Sequence, residues 1–115
     1  MNWKTTKYGN RKVTTPDGTF DSVKEYSRWQ ELRMLERAGE IYDLQRQVPF
    51  VLIPAQKGED GRVIERAVKY IADFTYRSRK DNRMTVEDTK GLKTPEYIIK
   101  RKLALYRLGI RIVEI

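Results

Sequence analysis

The chain has 115 residues, enough for one hydrophobic core but not for two. It contains no cysteine and no histidine, which excludes disulfides, thiolate or imidazole metal sites and a histidine general base. Lys and Arg number 24 against 16 Asp and Glu, a net charge of +8 that favours a polyanionic partner, since each neutralised phosphate releases condensed counterions.

Residues 1–11, with Trp3, Lys4, Lys7, Tyr8 and Arg11, lack periodicity and read as a flexible basic arm. Pro16-Asp17-Gly18 is a turn signal between short runs at 12–15 and 19–20, which predicts a small hairpin. Ser22 opens a helix over 22–38: Ser22 and Glu25 fit the capping box, and Gly39 supplies a left-handed stop. Enrichment in Val, Ile and Phe predicts strands over 43–54 and 62–76, separated by a turn at 57–61. A charged turn at 77–83 leads to a third strand over 84–90, and the tight polar turns argue an antiparallel meander. Thr94-Pro95-Glu96 combines an N-cap, a proline at the first helical position and an acid in the first turn. That second helix runs to Leu108 and stops at Gly109, and residues 110–115 read as a last strand. The expectation is a single α/β domain over 1–115, with a central mixed sheet in the order helix, three strands, helix, strand. No long apolar run or leader motif is visible, so the expected setting is cytoplasmic, without membrane association.

Candidate chemistry lies in Asp73, Asp88 and Lys90. Alternate strand residues share a face, so Asp88 and Lys90 project together, and Asp73 comes from the preceding strand. Two carboxylates can hold a hard divalent cation with waters still attached, and a neighbouring ammonium can orient one of those waters. The plain alternative is a solvated strand face with a weak ion pair. Glu25 also has two readings. It completes the cap with Ser22, yet it shares a helix stripe with Trp29 and Leu32 and so points toward the sheet as a metal ligand or outer-shell base. Glu87 points away from Asp88 and reads as a surface or packing residue. Lys93, Lys100, Arg101 and Lys102 are either a DNA-binding region or the ordinary solvent face of the second helix.

These residues resemble the PD-(D/E)XK nuclease superfamily, and in particular a small phage-encoded group akin to Holliday-junction resolvases. The resemblance rests on Phe20-Asp21-Ser22 with Glu25, Tyr70-Ile71-Ala72-Asp73-Phe74, Val86-Glu87-Asp88-Thr89-Lys90-Gly91 and Lys100-Arg101-Lys102-Leu103. Ala72 stands where the superfamily motif has proline. The resemblance implies a restriction-endonuclease-like core and Mg²⁺-dependent DNA cleavage, with Mn²⁺ able to substitute. It assigns Asp73 and Asp88 as metal ligands, Lys90 as catalytic lysine, Glu25 as the first-helix glutamate and the Thr89 carbonyl as a further ligand. The implied activity is endonucleolytic cleavage of branched DNA or Holliday junctions in phage recombination or replication, with a homodimer supplying two active sites. DNA contacts are expected from Lys93, Lys100, Arg101 and Lys102 and from Lys4, Lys7 and Arg11 of the arm. The alternatives are a non-catalytic basic DNA-binding module and an interaction protein whose charge is incidental.

Overall fold

Strands β1 (Val13–Thr15) and β2 (Gly18–Phe20) form the expected hairpin. The Thr15 hydroxyl donates to the Gly18 carbonyl at 3.0 Å and accepts the Asp17 N–H at 3.1 Å, closing the turn. Gly18 takes φ 119°, which side-chain-bearing residues rarely adopt. The hairpin delivers Phe20 against Tyr26 and Trp29 of α1 (Val23–Arg37). The computed structural model describes residues 12–115; the arm expected at 1–11, with Lys4, Lys7 and Arg11, lies outside the described residues.

The chain then forms β3 (Ile41–Ile53), β4 (Gln56–Lys57), β5 (Val63–Glu65), β6 (Val68–Ser78), β7 (Met84–Asp88), α2 (Pro95–Leu108) and β8 (Val113–Glu114). A four-stranded sheet has the order β3-β6-β7-β8, antiparallel except for the parallel β7–β8 pair. The protein is therefore mixed α/β, with a central mixed sheet and two helices. The first helix and the three-strand meander follow the sequence reading, as does α2, with Thr94 as its N-cap and Gly109 at φ 67° as its stop.

Three differences are larger than a residue or two at a strand end or bear on the site. The single strand expected over 62–76 is two, because β5 pairs only with β4 in a separate, exposed two-stranded ribbon. The last strand contracts to Val113–Glu114, since Ile112 turns into the core instead of the ladder. The strand expected over 84–90 stops at Asp88, so Lys90 lies just beyond it.

Two hydrophobic clusters flank the site. Tyr70 and Ala72 of β6 pack with Leu52, Val86, Tyr97, Ala104 and Ile112, whereas Phe74 packs with Leu32 and Ile41. Asp73 sits where β6 passes from the α2 cluster to the α1 cluster. Glu87, the neighbour of Asp88, is buried and takes a two-pronged ion pair from Arg28 of α1, at 2.8 Å from Nε and 2.7 Å from Nη2. The Tyr76 hydroxyl also donates to it. Its role is packing, as one of its two sequence readings had it, and it ties β7 to α1. Among the described residues, no helix is long and apolar enough to cross a membrane.

Candidate functional site

Glu25, Asp73, Asp88 and Lys90 line one cavity of about 230 Å³, together with Asp21, Thr89, Thr94 and Tyr97. The β6–β7 register pairs Phe74 with Glu87, so its continuation sets Asp73 beside Asp88 across the strands. Tertiary contacts fix each side chain. Asp73 Oδ2 accepts both the backbone N–H and the hydroxyl of Thr89, each at 2.8 Å. Asp88 Oδ2 accepts the Tyr70 hydroxyl at 2.6 Å, and its Oδ1 lies 3.3 Å from Lys90 Nζ. The same ammonium sits 4.6 Å from the centre of the Tyr97 ring, a cation–π contact that holds it at the cavity wall.

Glu25 belongs to the helix cap and to the cavity at once. Its backbone N–H donates to Ser22 Oγ at 3.0 Å, as a cap requires. Its carboxylate does not return to the Ser22 N–H of the capping box. Oε2 instead accepts the Asp21 N–H at 2.9 Å, and Oε1 accepts the Gln47 side-chain amide at 3.1 Å. Only 1% of Glu25 is exposed.

Burial and crowding of negative charge perturb two of the acids. Burial, then repulsion from Asp73, raises Glu25 from its ordinary 4.5 to about 7. The same two causes raise Asp88 from 3.8 to about 6, against the opposing hydrogen bond from Tyr70 and the charge of Lys90.

Two contributors escaped the sequence reading. Gln47 lies in β3 with φ 52°, an unusual backbone for a non-glycine residue, and its amide touches both Glu25 and, at 3.5 Å, Asp73 Oδ1. A glutamine at an outward strand position gives no signal of this. Tyr70 had one: a tyrosine in an apolar run needs a partner for its hydroxyl once buried, and Asp88 provides it.

The surrounding cations divide. Lys93 Nζ and Arg101 Nη1 approach the same carboxylate oxygen of Glu114, at 3.7 Å and 3.3 Å. Lys100 pairs with the exposed Glu96 at 3.0 Å, and Lys102 is exposed.

Among the described residues no three Asp, Glu, His or Cys side chains gather into a ready-made metal cage. Mg²⁺ does not need one, because it is commonly held by one or two carboxylates and keeps several waters. Asp73 and Asp88 offer only oxygen, Asp73 Oδ1 has just the long Gln47 contact, and mutual repulsion marks negative charge that a cation would relieve. The donor set fits such an ion.

Fold and site together define a small mixed α/β protein with a carboxylate-rich cavity between its two helices. The chain belongs to the family described as "Protein of unknown function (DUF1064)", whose pattern matches residues 5–112. Comparison with curated proteins and with solved structures gives no significant match.

Proposed function

We propose that the protein is a Mg²⁺-dependent endodeoxyribonuclease of the PD-(D/E)XK type, with a restriction-endonuclease-like core. One observation carries the reading. In a chain of net charge +8, four carboxylates and a single lysine ammonium line one cavity. Such a cavity repels a phosphodiester unless a cation occupies it, and the basic remainder of the chain attracts one.

Asp73 and Asp88 would hold Mg²⁺, with Glu25 at the cavity's α1 side. When bound, that ion neutralises developing charge on the phosphate and makes water more acidic. The chain's own groups do the positioning. Thr89 fixes one Asp73 oxygen and leaves the other with only a long Gln47 contact, while Tyr70 fixes one Asp88 oxygen and leaves the other beside Lys90. Lys90, held between Asp88 and the Tyr97 ring, would orient a water for in-line attack on phosphorus and stabilise negative charge there. Glu25 is the candidate to accept the water's proton, because its pKa lies near neutrality. Branched DNA or a four-way junction is the proposed substrate, and symmetric cuts would require a second copy of the chain.

The test is incubation of linear duplex, flap and four-way junction DNA with and without Mg²⁺. Cleavage only with Mg²⁺, strongest on branched forms, is expected. Binding of all three without cleavage would leave a DNA-binding module in place of the enzyme.

A further inference from the structure

A second cavity, of about 280 Å³, adjoins the first and shares Lys90, Thr94 and Tyr97 with it. Its remaining lining has the opposite character. Lys69 and Ile71 enter from alternate positions of β6, and Lys100 enters from α2. The one carboxylate in its wall, Glu96, is 78% exposed where it meets Lys100. An exposed i,i+4 pair of this kind is weak in water, so a phosphate can take the lysine from it. Lys69 is exposed and enters none of the ion pairs found among the described residues. In the same wall Ile71 leaves 54% of its surface open, an apolar surface beside the cations.

Acids on one side, cations with an apolar surface on the other, and Lys90 at the boundary match two successive units of a nucleic-acid strand. We propose that the second cavity is the subsite for the nucleotide flanking the scissile phosphate. Lys69 and Lys100 hold its phosphodiester, and Ile71 lies against its sugar or base. The assignment rests on the nuclease reading for its register, but its charge chemistry can be measured without cleavage.

The measurement is fluorescence anisotropy of a short labelled DNA duplex and of the matching single strand, across a salt series in EDTA. For Lys69→Ala/Lys100→Ala, the slope of log affinity against log salt should fall by roughly 1.8 on duplex, about 0.9 for each phosphate charge no longer neutralised. Lys69→Gln/Lys100→Gln should show the same loss with an unchanged melting temperature. Glu96→Gln should tighten binding, because it releases Lys100. Lys57→Ala/Lys80→Ala removes equal charge outside both cavities and should leave the slope alone. An unchanged slope in the Lys69/Lys100 variants, or an equal loss in the Lys57/Lys80 control, overturns the subsite. The two proposals fail separately. Cleavage with Mg²⁺ but no slope change removes the subsite alone, whereas a slope change without any cleavage removes the nuclease and keeps a phosphate site. A wild-type chain that binds neither probe overturns the subsite.

Discussion

Asp73 and Thr89 form a fixed pair: one carboxylate oxygen of Asp73 takes two hydrogen bonds from Thr89, one from its backbone and one from its hydroxyl. This leaves Asp73 Oδ1, which has only the long Gln47 contact, as the oxygen a cation would use. Thr89→Val keeps the shape and the backbone bond but removes the hydroxyl. Metal-dependent cleavage should drop by about 10–100-fold, the usual cost of losing a group that orients a metal ligand. Added Mg²⁺ should restore part of the rate. A metal titration of cleavage rate checks this, and a variant with the wild-type Mg²⁺ dependence would remove Thr89 from the site.

Asp73→Asn, Asp88→Asn and Lys90→Met should each lower cleavage by at least about 10²-fold. DNA affinity measured in EDTA should hold steady or improve for the two aspartate variants, since each removes a charge that repels phosphate. If all three cut at wild-type rates, Asp88 and Lys90 are an ordinary ion pair at a strand end and the nuclease assignment fails.

The raised pKa values of Glu25, about 7, and Asp88, about 6, fix the sign of a pH effect. Between the ordinary and raised values the folded chain binds more protons than the unfolded chain, so stability falls as pH rises through that window. In EDTA the melting temperature should therefore decline from about pH 5 to about pH 8, as both acids ionise in the buried cavity. Mg²⁺ should restore it at the higher pH and do little at the lower, because binding must displace protons. A Mg²⁺ effect that is equal at both pH values would detach these acids from the ion.

Glu25→Gln keeps an acceptor for the Asp21 N–H and removes a charge that Asp73 repels. Its melting temperature should match or exceed the wild type at about pH 8, while cleavage falls by about 10²-fold. Gln47→Gly should relieve the backbone at φ 52° but free both carboxylates to move, giving unchanged stability and a higher Mg²⁺ concentration for half-maximal cleavage. Calorimetry beside the cleavage assay separates the two effects. Full activity in Glu25→Gln with a lowered melting temperature would make the Glu25 carboxylate a structural anchor for Asp21 and Gln47 only.

Glu87 should behave oppositely to its neighbour Asp88. Arg28→Met leaves the buried Glu87 carboxylate without its ionic partner and should cost about 3–5 kcal/mol in urea unfolding. Arg28→Met/Glu87→Leu should recover most of that loss. In either variant the folded fraction should cleave DNA at the wild-type rate, since Arg28 and Glu87 lie outside the cavity lining. A specific loss of cleavage in the stable double variant would contradict the division of labour between these adjacent acids.

What the sequence determined by itself was local. Ser22, Gly39, Thr94-Pro95 and Gly109 set both helices through hydrogen bonds and dihedral angles spanning only a few residues. Enrichment in Val, Ile and Phe placed the long strands, and Asp73, Asp88 and Lys90 stood out as residue types suited to a hard cation and its water. Tertiary structure decided the rest, because it depended on partners far apart in the chain. Glu25 meets Gln47 across 22 positions and Arg28 meets Glu87 across 59, and no local pattern encodes either contact. The break between β5 and β6 followed from which strand each could pair with, not from composition. The sequence left Glu25 divided between helix cap and site residue. Folding gives its two ends different surroundings: the cap uses its backbone N–H, while its carboxylate is buried in the cavity wall against Gln47 and near Asp73.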